Sequence, residues 1–230
     1  KRRLPGQLLP QAYAYYAKTP TLAKIRHVRV VRITIAPAYQ GAGYGSRALS
    51  AITHWAQQHG FEALGTSFGI SPELLSFWHK NAWLPVRVGH KPDPASRLPS
   101  AIYAYPITDA SRSLLLHLHQ YLLYELKFRQ RNHTLPAGVT KMMQEATSVQ
   151  PHAEQLLQQH WHILGKAFSK GELNFLDYLP WLAAALHNNW DNIAGCAQVA
   201  LLQQAVNHTG NLSRLAEAMQ LSGKKEALTC

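Results

Sequence analysis

A run dense in β-branched residues stops at a proline and leads at once into a glycine-spaced loop that opens a helical pattern. No other stretch limits the possible folds as tightly. Val28, Val30, Val31, Ile33 and Ile35, with Arg29 and Arg32 between them, predict a strand over residues 27–35 that Pro37 ends. Gln40-Gly41-Ala42-Gly43-Tyr44-Gly45-Ser46 follows. Leu49, Ile52 and Ala56 then recur at helical spacing as far as Gln58, and Gly60 stands where helix C-termini favour glycine.

The same alternation of types continues downstream. Residues 63–68 read as a second strand, and Ser71-Pro72-Glu73 supplies a capping side chain and a proline pre-set for the first turn of a helix to about Lys80. Residues 84–88 and 101–105 read as two more strands, joined by a polar loop containing Lys91-Pro92-Asp93-Pro94. Before the first strand, residues 1–26 read as a surface arm with one short helix around 11–17. After Pro106 the pattern becomes helical throughout, over 109–131, 139–147, 152–168, 174–187, 189–206 and 212–220. The predicted architecture is an α/β domain over 1–108 followed by an all-α domain over 109–230.

Charge is as uneven as structure. Residues 1–100 carry 13 Lys+Arg against 3 Asp+Glu, whereas residues 101–230 carry 10 against 9. A basic field confined to the first hundred residues suits a polyanion or a phosphate-bearing cofactor, with a basic surface kept for solubility as the alternative. Two cysteines, Cys196 and Cys230, offer no disulfide framework and fit a reducing cytoplasm. No apolar run is long enough to span a membrane, and the Arg-rich start lacks the apolar stretch of a signal peptide. His117 with His119 and His160 with His162 are spaced by two, which on a helix turns the side chains apart, so no metal site is expected.

The loop itself has a chemical reading. Glycines let backbone amides approach a pyrophosphate, and the helix start adds its dipole. A dinucleotide fingerprint counted from Gly41 and Gly43 places Ser46 third, and a nucleotide P-loop would need Gly-Lys-Ser/Thr where Gly45-Ser46-Arg47 stands. A structural turn is the remaining alternative. Gln40-x-x-Gly43-x-Gly45 resembles the signature of the Gcn5-related N-acetyltransferase superfamily, and the stretch from Ser71 to Trp83 resembles its second coenzyme-contacting helix. Leu8-Leu9-Pro10-Gln11, Arg32-Ile33-Thr34-Ile35, Ser67-Phe68-Gly69 and Pro85-Val86-Arg87-Val88-Gly89 narrow the resemblance to the bacterial tRNA(Met) cytidine acetyltransferases over residues 1–108. Leu221-Ser222-Gly223-Lys224-Lys225 extends it to their tRNA-binding region.

That resemblance implies a partial acetyltransferase fold, acetyl-CoA as donor, tRNA as partner, and acetylation of the N4 amine of the wobble cytidine. It also implies ATP, hydrolysed by a helicase-like module absent from this chain; with the first strands of the fold absent too, the chain reads as a fragment. Carried over, backbone groups of Ile33, Thr34 and Ile35 would lie along the acetyl and pantetheine portion. Gln40, Gly41, Ala42, Gly43, Tyr44, Gly45 and Ser46 would hold the pyrophosphate, with Glu73 and Lys80 as further coenzyme contacts. Lys80 stands where an Arg is usual, keeping the charge and losing the bidentate fork. Trp78 occupies the position of a thiolate-protonating Tyr, and an indole cannot be that acid, so the catalytic residue is left unassigned among His79, His90 and Tyr44. Arg87, His90, Lys91 and Arg97 are the candidate RNA contacts, with Arg2, Arg3, Lys24, Arg26 and Arg29 as further candidates upstream. An acetyltransferase for another amine and a silent RNA-binding module remain open alternatives.

Overall fold

The computed structural model describes residues 8–18, 24–92, 99–131, 135, 160 and 163–188, with isolated positions 203, 206, 207, 213 and 217. The helix expected over 139–147, most of those over 152–168, 189–206 and 212–220, and the Leu221 to Lys225 motif lie outside them. The chain divides into two compact units, the first of 1–123 with 135–149 and the second of 124–134 with 150–230.

In the first unit the elements are α1 (Leu8–Ala17), β1 (His27–Arg29), a 3-10 turn (Pro37–Tyr39), α2 (Tyr44–Gln58), β2 (Ala63–Gly69), α3 (Pro72–Lys80), β3 (Leu84–Pro92), β4 (Pro99–Pro106) and the start of α4 (Asp109–Arg131). The four strands form one sheet in the order β1-β2-β4-β3. β1 runs parallel to β2, with His27 opposite Ala63 and Arg29 opposite Gly65, while β4 is antiparallel to both neighbours. This is the mixed α/β arrangement of a partial acetyltransferase fold followed by helices.

Side-chain alternation gives the sheet two apolar faces. On one, Ala63, Val86, Ile102 and Ala104 meet Leu9 and Tyr13 of α1 and Leu115 and Leu118 of α4. The opposite face carries Tyr103 of β4, which packs on Phe68, while Phe68 stacks on Trp78 of α3 and Trp78 meets Trp83 at a tilt. β3 is an edge strand, and Pro85 sits there beside a register shift, where a missing N–H breaks no ladder. The freed carbonyl of Pro85 accepts from Nδ1 of the buried His119 at 2.7 Å, tying α4 to that edge.

Helix ends follow from local chemistry. The Gly60 N–H reaches Gln57 O and the Phe61 N–H reaches Ala56 O, a Schellman closure of α2 with Gly60 left-handed at φ 68°. α3 ends the same way, with Ala82 N–H on His79 O and Trp83 N–H on Trp78 O, except that an alanine takes the left-handed position at φ 59°. α4 opens on a reciprocal box in which the Ser111 hydroxyl accepts from Thr108 N–H and the Thr108 hydroxyl from Ser111 N–H.

Two expectations change in detail. The strand expected over 27–35 pairs only through Val30, whose N–H reaches Gly65 O at 2.9 Å and whose carbonyl accepts from the Thr66 hydroxyl at 3.0 Å. Thr66 thereby takes the Val30 carbonyl with its side chain while its backbone stays in register with Tyr103 of β4, so residues 31–36 run on unpaired with β2 among the described residues. The compact-unit division falls inside α4, beyond the boundary expected at residue 108, because Leu115 and Leu118 belong to the sheet's core.

In the second unit, residues 163–169 are helical, a left-handed Gly171 closes them, and α5 (Phe175–Asn188) follows. Phe168 stacks on Tyr178 at 4.9 Å, and Trp181 packs against Tyr124 and His160. α5 runs through Pro180, which cannot donate a helical hydrogen bond. Glu125 and Arg129 pair at 3.3 Å one turn apart in α4, both buried.

Candidate coenzyme site

Three backbone features converge on one cavity of about 430 Å³. The unpaired segment brings Ile33 and Ile35, the turn and loop bring Tyr39, Gln40, Gly41 and Gly43, and the start of α2 brings Tyr44, Gly45 and Ser46. Opposite them stands one face of α3 with Glu73, Leu74, Phe77 and Lys80, residues three to four apart and so stacked along the helix.

The loop is shaped for backbone approach. Gly41 and Gly43 are left-handed, at φ 79° and 81°, and a Cβ built on either meets nothing within 4 Å, so the space before them is open. Gly43 is the N-cap of α2 and provides no side-chain cap, and no acidic residue stands in the first turn. The first N–H groups of α2 therefore keep their hydrogen-bonding capacity for an outside acceptor, which with the helix dipole is the requirement for an anion. Gln40 donates its side-chain amide to Ile35 O at 2.9 Å, fastening the loop to the extended segment. Gly45 serves differently. A Cβ there would lie 2.9 Å from the Phe77 ring, so this glycine allows α2 and α3 to close on each other.

Charge around the cavity is mixed but ordered. Hydrogen bonds from its own backbone N–H and from Ser71 hold the Glu73 carboxyl below its ordinary value, keeping it ionised at the α3 N-terminus. Lys80 contributes the cation at the far end of the same face. Arg47 lies 4.2 Å over the exposed Tyr44 ring, and Tyr39 meets Tyr44 edge-on at 5.9 Å, so the mouth is aromatic and basic. Ser46 also borders a second, polar cavity of about 320 Å³ with Ser50, Thr53, Gln57 and Asn81.

Of the twelve sequence-predicted coenzyme residues, the cavity gathers Ile33, Ile35, Gln40, Gly41, Gly43, Tyr44, Gly45, Ser46, Glu73 and Lys80. Thr34 and Ala42 do not line it; Thr34 falls on the other side of an extended segment whose alternate residues face in. Tyr39, Leu74 and Phe77 line it without having been assigned. Helical spacing from Glu73 to Lys80 could have found Phe77, whereas Tyr39 depends on the 3-10 turn.

The groups weighed for proton transfer separate. Trp78 is 2% exposed and packed among Phe68, Phe77 and Trp83, which makes it core. His79 Nε2 lies 2.8 Å from the Tyr103 hydroxyl. Burial pushes the imidazole below its ordinary value and the phenol well above its own, so a neutral imidazole meets a neutral phenol. Such a pair can relay a proton without carrying charge into the fold. Tyr44 is at the cavity and exposed, and His90 is half-buried on β3.

Among the RNA-contact assignments, Arg87 is 7% exposed with its guanidinium 3.7 Å over the Tyr16 ring, so its charge is engaged inside the fold. Arg97 and the Lys91 side chain lie outside the described residues. Among the described residues no group of three or more His, Cys, Asp or Glu could hold a metal, and no helix is long and apolar enough to cross a membrane.

The first unit is a mixed α/β scaffold with this cavity, and residues 1–63 match the family GNAT acetyltransferase 2. The relatives are more particular. The chain is 38% identical over 109 residues to a tRNA(Met) cytidine acetyltransferase of Idiomarina loihiensis, covering 47% of this chain and 18% of that protein. Enzymes of the same name from Thermofilum pendens and Nitrosococcus halophilus are each 32% identical, over 49% and 55% of this chain and 14% and 17% of theirs. The matched stretch thus spans less than a fifth of these relatives.

Proposed function

We propose that this chain carries the coenzyme-binding part of an acyltransferase that moves the acetyl group of acetyl-CoA onto the N4 amine of a cytidine in tRNA(Met). The observation that carries the reading is the cavity in which an uncapped helix N-terminus, an open glycine loop and an unpaired extended segment meet. These residues fit the donor. The α2 amides suit a diphosphate, and the backbone of Ile33 to Ile35, unpaired with β2, offers hydrogen bonds to an amide-bearing arm beside the Ile35 carbonyl that Gln40 occupies. The apolar sides of Leu74 and Phe77 accept its methylenes, and Lys80 adds a cation for phosphate.

Bound acetyl-CoA supplies an activated acyl group whose C–S bond breaks as the C–N bond forms. The chain's own task is to fix that group's position and to exclude water around it. Site, species and energy source follow the relatives' names and the resemblance: the wobble cytidine of the elongator tRNA, with ATP hydrolysed by a module outside this chain. His90, Lys91 and Arg97 complete the acceptor side in this reading.

The test is incubation of the chain with unmodified tRNA(Met) and labelled acetyl-CoA, with and without ATP, read by nucleoside mass spectrometry. N4-acetylcytidine above the protein-free control is the expected product. Label recovered only on protein or small amines would replace tRNA by another acceptor.

A further inference from the structure

The first acidic residue of the chain is Glu62; the 61 residues before it hold nine Lys+Arg and no Asp or Glu. At the C-terminal end of α2 this acid-free segment displays aromatic rings. That end is separated from the glycine loop by a 15-residue helix, about 20 Å at 1.5 Å per residue. Trp55 is 47% exposed there, far more than a ring of its size needs if it served only the core.

Its neighbours are arranged around it. The His59 ring stacks on Trp55 at 4.5 Å and 27°, and Phe61 lies 5.7 Å away, also at 27°. The Arg26 guanidinium covers Phe61 at 5.0 Å. Backbone carbonyls hold the two polar members in place: His59 Nδ1 donates to Trp55 O at 2.8 Å, and Arg26 donates to Gly60 O at 3.1 Å. Exposed Lys24 lies two residues before Arg26, and Glu62 accepts the Arg26 backbone N–H at 2.9 Å.

An exposed Trp55 nearly parallel to His59 and Phe61, beside Arg26 and Lys24 and with Glu62 the one carboxylate among these residues, suits a ligand that is both flat and polyanionic. We infer that Arg26, Trp55, His59 and Phe61 form a stacking surface for unpaired RNA bases, with Lys24 and Arg26 matching the adjoining phosphates. An acidic protein segment would satisfy the charge but not the stacked rings. The inference rests on the RNA-acceptor part of the reading above and adds a contact remote from the coenzyme cavity.

Anisotropy titrations with labelled tRNA and with a single-stranded oligouridine, on wild type, Trp55→Ala and Trp55→Phe, test it. Alanine should weaken both by about 5- to 100-fold, phenylalanine should retain most of the affinity, and the salt slope should stay that of wild type because phosphate contacts persist. Unchanged affinity in the alanine variant overturns the inference, as does a wild type that binds neither RNA. Competition by polyglutamate as effective as by oligouridine, equal in wild type and variant, overturns it in favour of charge alone. Acetyl-CoA calorimetry on the same proteins separates the two claims. Retained coenzyme binding with RNA binding indifferent to Trp55 sinks only the stacking surface; absent coenzyme binding in wild type sinks the coenzyme reading.

Discussion

Replacing Gly45 by alanine places a methyl carbon 2.9 Å from Phe77 Cε2 and 3.2 Å from Cζ. Ordinary carbon contacts begin near 3.5 Å, so the ring must retreat by about 0.6 Å or more. Phe77 lines the coenzyme cavity and packs edge-on against Trp78 at 5.1 Å, so a displaced ring disturbs the space the ligand would occupy. Overpacking of this kind costs about 1–3 kcal/mol, which for a chain of this length is roughly 2–4 °C of Tm per kcal/mol. Coenzyme affinity should fall in parallel. Phe77→Leu shortens the obstructing group, so Gly45→Ala should be milder in that background. Thermal unfolding and acetyl-CoA calorimetry of the four proteins give the coupling, expected at about 0.5–3 kcal/mol in stability. Stability losses that simply add would show that Gly45 is not needed for the approach of α2 to α3.

Other expectations are narrower. Ala82 holds a left-handed cap that glycine adopts without strain, so Ala82→Gly should raise stability by about 1 kcal/mol, measured by urea denaturation. Ser71 Oγ accepts from Leu74 N–H at 3.3 Å, and Ser71→Ala should cost about 1 kcal/mol by the same measurement. Burial lowers His160 to about 4, so below the unfolded value of 6.5 the unfolded chain binds the proton more readily. The His160 contribution to stability should therefore be constant above about pH 6.5 and decline by about 3 kcal/mol toward pH 4. Denaturation midpoints against pH should include that decline, and His160→Phe should remove its share while those of the half-buried His79 and the buried His119 remain.

The glycine loop was legible because its punctuation is local: residues 40–46 need no distant partner to open a helix. The same holds for α3, whose Ser71-Pro72 start and Lys80 end are sequence-near signals. The departure of the chain from β2 after Val30 was not, because residues 27–35 stay rich in β-branched side chains past that point and the Thr66 hydroxyl that takes the Val30 carbonyl is remote in sequence. Arg87 offered a cation between two valines, and only tertiary packing puts Tyr16 beneath it. Trp55, His59 and Phe61 lie four and two residues apart, but their parallel stacking depends on the chain reversing at Gly60. Thr34 is read for its backbone, and period-two alternation already turns its side chain away from the face that Ile33 and Ile35 share.

Calorimetric titration of acetyl-CoA into the wild-type chain and Gly43→Val tests the central claim most directly. A valine at the left-handed Gly43 adds strain and fills the open space before the α2 amides, with no protein atom within 4 Å to clash. Saturable binding in wild type that disappears in a Gly43→Val protein that still unfolds cooperatively is the predicted result. Equal affinity in both proteins would contradict the assignment of the loop to the coenzyme's diphosphate.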